Sequence, residues 1–466
     1  MTSTDLTRED PAVLREYYRQ MALIRAFEQR AAEMYTRARI GGYCHLNLGE
    51  EATVVGLTSA LRDEDYLFAT YREHGYALAR GADPGRVMAE LFGRADGLSR
   101  GRGGSMHLFD TAIRLLGGYG IVGGQIPLAT GAAFALAYKT GPAPDAPAVM
   151  CLLGDATTNI GAFHESLNLA ALWHLPVVYV IVNNQLGMGT PVEAAAAEPE
   201  LWKRGCAYRM PGQRVDGNDV LTVRDAARAA LDRARAQHQP TLLETVSYRL
   251  RGHSVVDPAR YRTAEDTEWL RRDDPLPAFR NHLVAAGVLT DEAAQEIDAE
   301  ADKTVAAAVD FADTSPAPDV TTLFDHVYAT PAASAYQRYE EMLATDRWRA
   351  LEQAGGRPQR PLWASTSVKD PAYEDTRYVT GLVAPGVVNT MPEATLNAVT
   401  GHGNIPDDSI HGTYSQSQAV LDDLAALGIA YGDVVQTLED QGVATFDASW
   451  DHLAQRLATA LGTQKE

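Results

Sequence analysis

A carboxylate and an amide occupy corresponding places in the middle of the sequence. Asp155 follows the apolar run 148–153 through Gly154, and Asn184 follows a second apolar run, 176–182, through Asn183. The two residues lie about 30 positions apart, the length of one strand–helix–strand unit. Open parallel sheets bind ligands just beyond the carboxyl ends of their strands, so both oxygens are expected at one sheet edge. This donor pair suits Mg²⁺, which completes its octahedron with waters and phosphate oxygens.

The elements that would position this pair can also be predicted. Phe163, Leu167, Ala170 and Ala171 recur at helical spacing between the two apolar runs, so the stretch predicts strand, turn, helix and strand. An α/β fold with a parallel sheet follows from that order. The alternative is that Gly-Asp and Asn-Asn are ordinary turns without a ligand, since both dipeptides are common turn chemistry.

The whole stretch, from Gly154-Asp155 to Asn183-Asn184, resembles the diphosphate-binding motif of thiamine-diphosphate enzymes. Further matches at Glu165, Asn168, 170–173 and 187–190 resemble the alpha subunit of the decarboxylating component of 2-oxo acid dehydrogenases, and the likeness covers about residues 1–330. The resemblance implies a thiamine-diphosphate-binding fold, a parallel sheet flanked by helices. It also implies thiamine diphosphate and Mg²⁺ as cofactors.

The same resemblance assigns roles to residues along the chain. The implied metal ligands are Asp155, Asn184 and the carbonyl of Leu186, and the implied diphosphate neighbours are Tyr71, Arg72, Ala156 and Thr157. Gly120 and Val122 would hold the aminopyrimidine ring. His45 and His253 would contact substrate and cofactor in general acid–base roles. The glycine-rich segment 101–108 would lie near the site entrance. The arginine-rich loop around His253 would become ordered when cofactor binds and would gate the site.

Each of these motifs has a plainer interpretation when it is taken alone. A single loop histidine such as His45 is more often structural, and Arg72 would suit a surface salt bridge. The glycines around Gly120 are also typical of a buried turn before a helix of small residues over 127–138. The loop around His253 would otherwise be a solvated charged segment. The resemblance favours the functional interpretation in each case.

One position departs from the family pattern. The family usually has glycine after the Gly-Asp pair, whereas this chain has Ala156. A methyl group is tolerated there only if the backbone φ angle is negative. We therefore expect cofactor binding to persist, with a slight shift in the packing around the diphosphate.

Composition and charge limit the possible partners. The chain has 466 residues and a net charge of −20, which argues against a nucleic-acid backbone or an anionic membrane as partner. No apolar run approaches the length of a membrane span. The three cysteines lack metal-type spacing, so reduced thiols are expected. The polar, acidic start of the sequence is typical of neither a signal nor a transit peptide. A cytoplasmic location is the resulting expectation.

The last part of the chain, about 331–466, has a different character. Segments 360–396 and 442–450 resemble the C-terminal part of transaldolases, which are (β/α)₈ barrels. A full barrel needs roughly 250 residues, so this tail is predicted to be a truncated α/β piece. Lys369 follows the segment expected for the family's Schiff-base lysine and is interpreted as a surface or phosphate-facing residue. The predicted domains are therefore 1–330 and 331–466.

The resemblance also predicts an incomplete active site. Thiamine catalysis needs a glutamate on a pyrimidine-binding domain, which the resembled enzymes carry on a beta subunit. We therefore expect the chain to be inactive alone and to assemble as α2β2. The expected reaction transfers a two-carbon unit from a 2-oxo acid or a ketose phosphate to a lipoyl carrier protein. Transketolase-type transfer to another acceptor, or a non-catalytic scaffold or docking protein, are the alternatives.

Overall fold

The structure, a computed structural model, describes residues 6–319, 330–364, 366–368 and 374–426. The chain divides into two compact units, Met1–Val320 and Thr321–Glu466. Each unit is described by itself below.

The first unit alternates helices with short strands. Its helices are α1 (Pro11–Thr36), α2 (Glu51–Ser59), α3 (His74–Ala79), α4 (Pro84–Leu91), α5 (Gln125–Thr140), α6 (Gly161–Leu172), α7 (Val192–Ala195), α8 (Val220–Gln237), α9 (Ala264–Arg272), α10 (Pro275–Ala285) and α11 (Asp291–Thr314). Its strands are β1 (Tyr66–Phe68), β2 (Val149–Gly154), β3 (Val177–Asn183), β4 (Leu186–Gly187), β5 (Thr190–Pro191), β6 (Gly212–Asp216) and β7 (Thr241–Val246).

Five of these strands form one parallel sheet, in the order β1-β2-β3-β7-β6. In the register of the two central strands, Val149 lies opposite Val177 and Gly154 opposite Val182. All five strands run in the same direction. Their carboxyl ends therefore lie along one edge, and the loops after β1, β2, β3 and β7 all leave from that edge. The predicted α/β fold with a parallel sheet flanked by helices is confirmed.

Both faces of the sheet are buried, which explains why the central strands read as continuous apolar runs. Met150 and Leu152 of β2 pack into a core that includes residues of α1, α2, α8 and α11. Cys151 and Leu153 point to the opposite face, where they pack with α5 and α6. The strand β3 alternates in the same way, so the two cores are separated only by the sheet.

Local sequence signals define several helix boundaries. The side chain of Asp10 accepts a hydrogen bond from the amide of Ala12 and Pro11 opens α1, a favourable start for a helix. The side chain of Asp219 likewise accepts from the first amides of α8. The sequence pattern over 9–39 predicts a long helix or a helix pair, and the structure has one helix, Pro11–Thr36. The pattern over 240–249 predicts a strand, and the observed strand is shorter, Thr241–Val246.

The second unit contains α12 (Thr330–Leu343), α13 (Asp346–Gln353), β8 (Leu362–Trp363), α14 (Arg377–Thr380), β9 (Val388–Asn389), α15 (Glu393–His402) and α16 (Tyr414–Ala426). Strands β8 and β9 pair in parallel. A small core gathers Ala333, Tyr336, Ala384 and Ile410. The sequence pattern of this part predicts strands over 360–365 and 387–391 and helices over 392–400, 414–427 and 431–441. The described residues contain β8, β9, α15 and α16 within or overlapping the first four of these segments. Lys369, the predicted helix over 431–441 and the segment 442–450 lie outside the described residues.

None of the helices in the described part of the chain combines the length and the apolar character that crossing a bilayer requires.

Candidate active site

A cavity of about 830 Å³ opens at the carboxyl edge of the parallel sheet. The loops that follow β1, β2, β3 and β7 all contribute to its lining. The residues to which the resemblance assigns a metal, cofactor or catalytic role all line it, and these are His45, Tyr71, Arg72, Gly120, Val122, Asp155, Ala156, Thr157, Asn184, Leu186 and His253. The structure therefore brings together residues that are dispersed over some 200 positions of sequence. Their individual chemical roles stay predictions.

The predicted cation ligands lie at the ends of neighbouring strands. Asp155 follows β2 directly and Asn184 follows β3, and both side chains are buried. Burial raises the pKa of Asp155 to about 6, against the opposing effect of backbone hydrogen bonds and of Arg249. A bound cation would favour the charged carboxylate. The Oδ1 atom of Asn184 is buried and accepts no hydrogen bond from the described residues. An orphan acceptor next to a desolvated carboxylate fits a divalent cation.

Two guanidinium groups face the same cavity. Arg72 follows β1, and its Nη1 and Nη2 atoms donate to the carbonyls of Leu46 and His253, at 2.6 and 2.9 Å. Arg249 follows β7, and it donates to the carbonyls of Leu186 and Met188, at 2.9 and 2.8 Å. Both arginines are almost fully buried, and clustered guanidiniums suit a diphosphate because they form paired charge-assisted hydrogen bonds.

Three rings form a contact cluster in the cavity. The ring centroid of His45 lies 4.4 Å from that of Tyr71 and 5.1 Å from that of His253. Burial, with Arg72 adding to the effect, places the pKa of His45 well below its usual range. Burial, Arg72 and Arg249 lower the pKa of His253 to about 4. Both imidazoles are therefore neutral at pH 7 and can accept protons. The buried Nδ1 of His45 has no hydrogen-bond partner among the described residues.

Ala156 satisfies the backbone condition set out for it. It lies in the 3₁₀ turn Asp155–Asn159, and its φ angle is not positive. Its methyl group faces Gly187, where an added Cβ would lie 2.8 Å from the Ala156 Cβ. The alanine is thus accommodated because a glycine stands opposite it.

The glycine-rich loop from Gly117 to Gly124 approaches its neighbours closely, as expected. An added Cβ at Gly118 would lie 2.0 Å from the carboxylate of Glu73, and one at Gly123, where φ is +77°, would lie 2.0 Å from Ile160. The Nδ1 atom of His107, from the segment 101–108, lies 3.0 Å from the carbonyl oxygen of Gly118. Met106 from the same segment lines the cavity. These contacts place backbone of Gly120 and its neighbours in the cavity wall.

The arginine-rich loop that carries His253 is tied down on both sides. The backbone amide of His253 donates to Asp257 at 2.6 Å, and the amide of Val255 donates to the carbonyl of Cys44 at 3.0 Å. The loop therefore lies against the segment that carries His45. Its ordering by cofactor stays a prediction.

His74 follows Tyr71 and Arg72 closely after the end of β1, but it does not line the cavity. His74 opens α3 and is completely buried, with its Nδ1 2.9 Å from Glu28 and its Nε2 2.9 Å from the hydroxyl of Ser105. The chain turns into a helix immediately after Arg72, so His74 points into the protein interior instead of into the cavity.

The polar residues of the cavity that sequence reasoning did not single out include Glu50, Gln125 and Arg249. The Nε2 atom of Gln125 donates to the carbonyl of Leu152 at 2.7 Å, which leaves its buried Oε1 without a partner among the described residues. Arg249 was noted only as one of several arginines. The sequence signal that could have singled it out is its position just after a buried strand, the same position that Arg72 has after β1.

The fold and the cavity define a class, an α/β protein with a polar cavity at the carboxyl edge of a parallel sheet. Residues 19–321 match the family model described as the dehydrogenase E1 component. The chain belongs to this family, and membership of the family implies thiamine diphosphate as cofactor. Residues 321–457 match the model described as transaldolase/fructose-6-phosphate aldolase, so a transaldolase-like part follows the first.

Named relatives agree with this assignment. The chain is similar to the pyruvate dehydrogenase E1 component subunit alpha of Rhizobium meliloti, with 42% identity over 327 residues that cover 70% of this chain and 92% of the relative. The corresponding protein of Zymomonas mobilis is 44% identical over 320 residues, 68% of this chain and 89% of the relative. A chloroplastic alpha-3 subunit of Oryza sativa is 41% identical over 331 residues, 70% and 77% of the two chains.

Proposed function

We propose that this chain is the alpha subunit of a Mg²⁺- and thiamine-diphosphate-dependent enzyme that, with a beta subunit, decarboxylates pyruvate or a closely related 2-oxo acid. One observation carries the proposal. The buried Asp155 and the Oδ1 of Asn184, which has no hydrogen-bond partner among the described residues, share a cavity with the guanidinium groups of Arg72 and Arg249. The two oxygen donors suit a metal cation, and the two fixed guanidinium groups suit a diphosphate. The cavity therefore matches a metal–diphosphate unit better than it matches a cation alone or an anion alone. The names of the relatives supply the substrate class.

The cofactor-binding roles follow from the side chains present. Asp155, Asn184 and the carbonyl of Leu186 would hold Mg²⁺, while Tyr71, Arg72 and Arg249 would hold the diphosphate beside Ala156 and Thr157. The backbone at Gly120 and Val122 would hold the aminopyrimidine. Thiamine diphosphate, when bound, supplies the nucleophilic carbon and the electron sink that cleavage beside a carbonyl group requires.

His45 and His253 would act on the substrate end of the cavity. Because burial and the two arginines keep both imidazoles neutral at pH 7, each ring can donate a hydrogen bond from one nitrogen and accept one at the other without adding a third positive charge. The Nδ1 atom of His45 is the strongest candidate for such a contact, since it is buried and unpartnered among the described residues.

The absence of a suitably placed glutamate supports the need for a partner. Among the described residues that line the cavity, Glu50 is the sole glutamate, and both its carboxylate oxygens accept hydrogen bonds from asparagine side chains. A beta subunit would supply the glutamate that activates the aminopyrimidine, in an α2β2 assembly. A lipoyl-bearing carrier would accept the acyl group. We place the complex in the cytoplasm, with domains at 1–330 and 331–466.

Calorimetry with Mg²⁺ and thiamine diphosphate tests the proposal. The Asp155→Ala variant should lose measurable binding, whereas Asp145→Ala, which changes an exposed aspartate, should bind as the parent does. Unchanged affinity in Asp155→Ala would contradict the assignment. Robust turnover of pyruvate by the purified chain without a partner would contradict the requirement for a beta subunit.

A ketose phosphate is the second candidate donor, and the match of residues 321–457 to the transaldolase/fructose-6-phosphate aldolase family supports it. Transketolase-type cleavage uses the same cofactor chemistry. The chain co-expressed with a beta-type partner would be assayed with pyruvate and with xylulose or fructose phosphates in parallel, with a lipoyl acceptor. Turnover of pyruvate alone would exclude the second candidate, and turnover of the sugar phosphates alone would replace the first.

A further inference from the structure

Glu50 is a buried carboxylate behind the candidate cation ligands. It is the residue just before α2, its side chain is 1% exposed, and it lines the cavity. Burying a carboxylate is costly unless its oxygens are hydrogen-bonded or paired with a positive charge. The contacts of Glu50 therefore indicate what the carboxylate does there.

Both oxygens of Glu50 have fixed partners. Oε1 accepts a hydrogen bond from Nδ2 of Asn184 at 2.9 Å, across 134 residues of sequence. Oε2 accepts from Nδ2 of Asn47 at 3.0 Å and lies 3.9 Å from Nε of Arg72. Asn47 is itself held, because its Oδ1 accepts from the amide of Gly75 at 3.1 Å. The carboxylate thus cannot rotate without breaking a buried contact.

This arrangement determines which way the amide of Asn184 points. An ionised carboxylate only accepts hydrogen bonds, so the Asn184 atom that faces Glu50 must be the amide nitrogen. The carbonyl oxygen Oδ1 is then turned away from Glu50, and it is the buried acceptor for which the described part of the chain offers no hydrogen-bond partner. If position 50 carried a neutral side chain that can both donate and accept hydrogen bonds, such as glutamine, the Asn184 amide could take either orientation.

Charge adds a second effect. The described lining contains two guanidiniums, Arg72 and Arg249, and three carboxylates, Glu50, Asp155 and Asp257. Glu50 is the one that forms an ion pair with Arg72, with 3.9 Å between Oε2 and Nε. Without the charge of Glu50 the positive charge of Arg72 would lose this partner, and a divalent cation would enter a less favourable field, because buried charges interact strongly.

We propose that Glu50 is a positioning residue for the cation: it orients the Asn184 amide so that Oδ1 faces the metal, and it balances the charge of Arg72. The inference rests on the proposed function, since it concerns the same cation site. It adds a residue that makes no direct contact with the metal, and such outer partners typically change metal affinity by about 10- to 100-fold when they are removed.

Exchange of the two hydrogen-bonding partners tests this role in the full chain of 466 residues. Mn²⁺ is titrated in the presence of thiamine diphosphate, and free Mn²⁺ is followed by its electron paramagnetic resonance signal. Glu50→Gln should weaken Mn²⁺ binding by about 10- to 100-fold. Asn184→Asp should also weaken it, since two carboxylates then face each other. In the double variant the glutamine can donate to the new aspartate, and affinity should recover at least about tenfold relative to the product of the single effects.

Glu51→Gln is the matched control. Glu51 is also fully buried, but its carboxylate bonds to Arg25 and to the amide of Gly49, and it does not line the cavity. This variant should lower the melting temperature of the unliganded chain and leave the affinity for Mn²⁺ within about twofold of the parent. Equal losses of Mn²⁺ affinity in Glu51→Gln and Glu50→Gln would reduce the role of Glu50 to general stability and overturn the inference.

Other outcomes separate the inference from the proposed function. If the parent chain binds Mn²⁺ and Glu50→Gln binds it equally well, or if the double variant shows no recovery, the inference fails and the cation site stands. If the parent binds no Mn²⁺ with thiamine diphosphate, the cation site fails and the inference with it. Glu50→Asp keeps the charge and withdraws the carboxylate from Asn184; should Glu50→Gln not fold, parent-like Mn²⁺ affinity in Glu50→Asp would overturn the inference, and a loss would support it.

Discussion

The guanidinium of Arg249 holds the carbonyl oxygen of Leu186, with a distance of 2.9 Å between Nη1 and O. It holds the carbonyl of Met188 through Nη2 as well, so one buried arginine fixes the backbone on which a candidate metal ligand lies. A carbonyl oxygen has two lone pairs and can accept from a guanidinium while it binds a cation. Arg249 therefore links the candidate diphosphate and cation positions.

Replacement of this arginine should be costly for cofactor binding. Arg249→Met removes charge-assisted hydrogen bonds, each typically worth about 1.5–3 kcal/mol, so thiamine diphosphate affinity should fall at least about tenfold in calorimetry with Mg²⁺. Arg251→Met, which changes an exposed arginine two residues later, is the control and should bind as the parent does. Equal affinity of both variants for thiamine diphosphate would show that Arg249 does not contribute to cofactor binding.

The second prediction concerns Ala156 and Gly187, which face each other. Gly187→Ala should lower the melting temperature and weaken cofactor binding, because its Cβ would lie 2.8 Å from that of Ala156. The double variant Ala156→Gly/Gly187→Ala should recover most of the loss, because the opposing methyl group is gone. Gly161→Ala is the control, since an added Cβ there meets its nearest atom at 3.5 Å. A loss in the double variant as large as in Gly187→Ala would show that the contact between the two residues is not the cause.

The histidine pair leads to a prediction about chemistry as opposed to binding. His253→Asn should lower kcat by about 100-fold or more in the enzyme reconstituted with a beta subunit, with cofactor affinity nearly unchanged, because general acid–base groups typically contribute 10²–10⁴-fold. Because the pKa of His253 is lowered to about 4, its protonation should not limit the rate between pH 6 and 8. Steady-state rates across that range check both points. His164→Asn, which changes an exposed histidine, is the control and should keep the parent's kcat. A parent-like kcat in His253→Asn would show that His253 has no catalytic role.

The fourth prediction concerns Glu73, a carboxylate buried beneath the glycine loop. Burial raises its pKa from 4.5 to about 8, although His74 and the amide of Leu108 oppose the shift. Between pH 4.5 and 8 the folded protein therefore binds a proton that the unfolded chain does not, and stability must fall as pH rises through this window, by up to about 1.4 kcal/mol per pH unit. Burial alone would lower the pKa of His74, but the charge of Glu28 raises it, so His74 acts in the same direction.

Urea unfolding at pH 6 and pH 8 measures this effect. Glu73→Gln cannot ionise, so the difference in unfolding free energy between the two pH values should be smaller than in the parent by about 1–3 kcal/mol. Glu64→Gln, at an exposed position, should leave the difference unchanged. The prediction fails if Glu73→Gln keeps the parent's dependence on pH.

Much of the fold could be predicted because its signals are local. The apolar runs before Asp155 and Asn184 are long enough to be recognised as buried strands, and the helical spacing of Phe163 and Leu167 lies between them. The structure places these elements at Val149–Gly154, Gly161–Leu172 and Val177–Asn183, within one or two residues of the expected bounds. The start of a short helix such as α3 is harder to predict, because it begins at His74 without a side-chain capping bond and leaves little trace in the sequence.

By itself, the sequence determined the types of residue that stand at the ends of the strands and, through its motifs, the family and the cofactor class. Only the tertiary structure decided that Glu50 faces Asn184, 134 residues away, and that Arg249 holds Leu186, 63 residues away. The physical reason is that strand and helix signals depend on neighbours within a few positions, whereas hydrogen bonds between distant side chains depend on how the loops after different strands meet at one sheet edge.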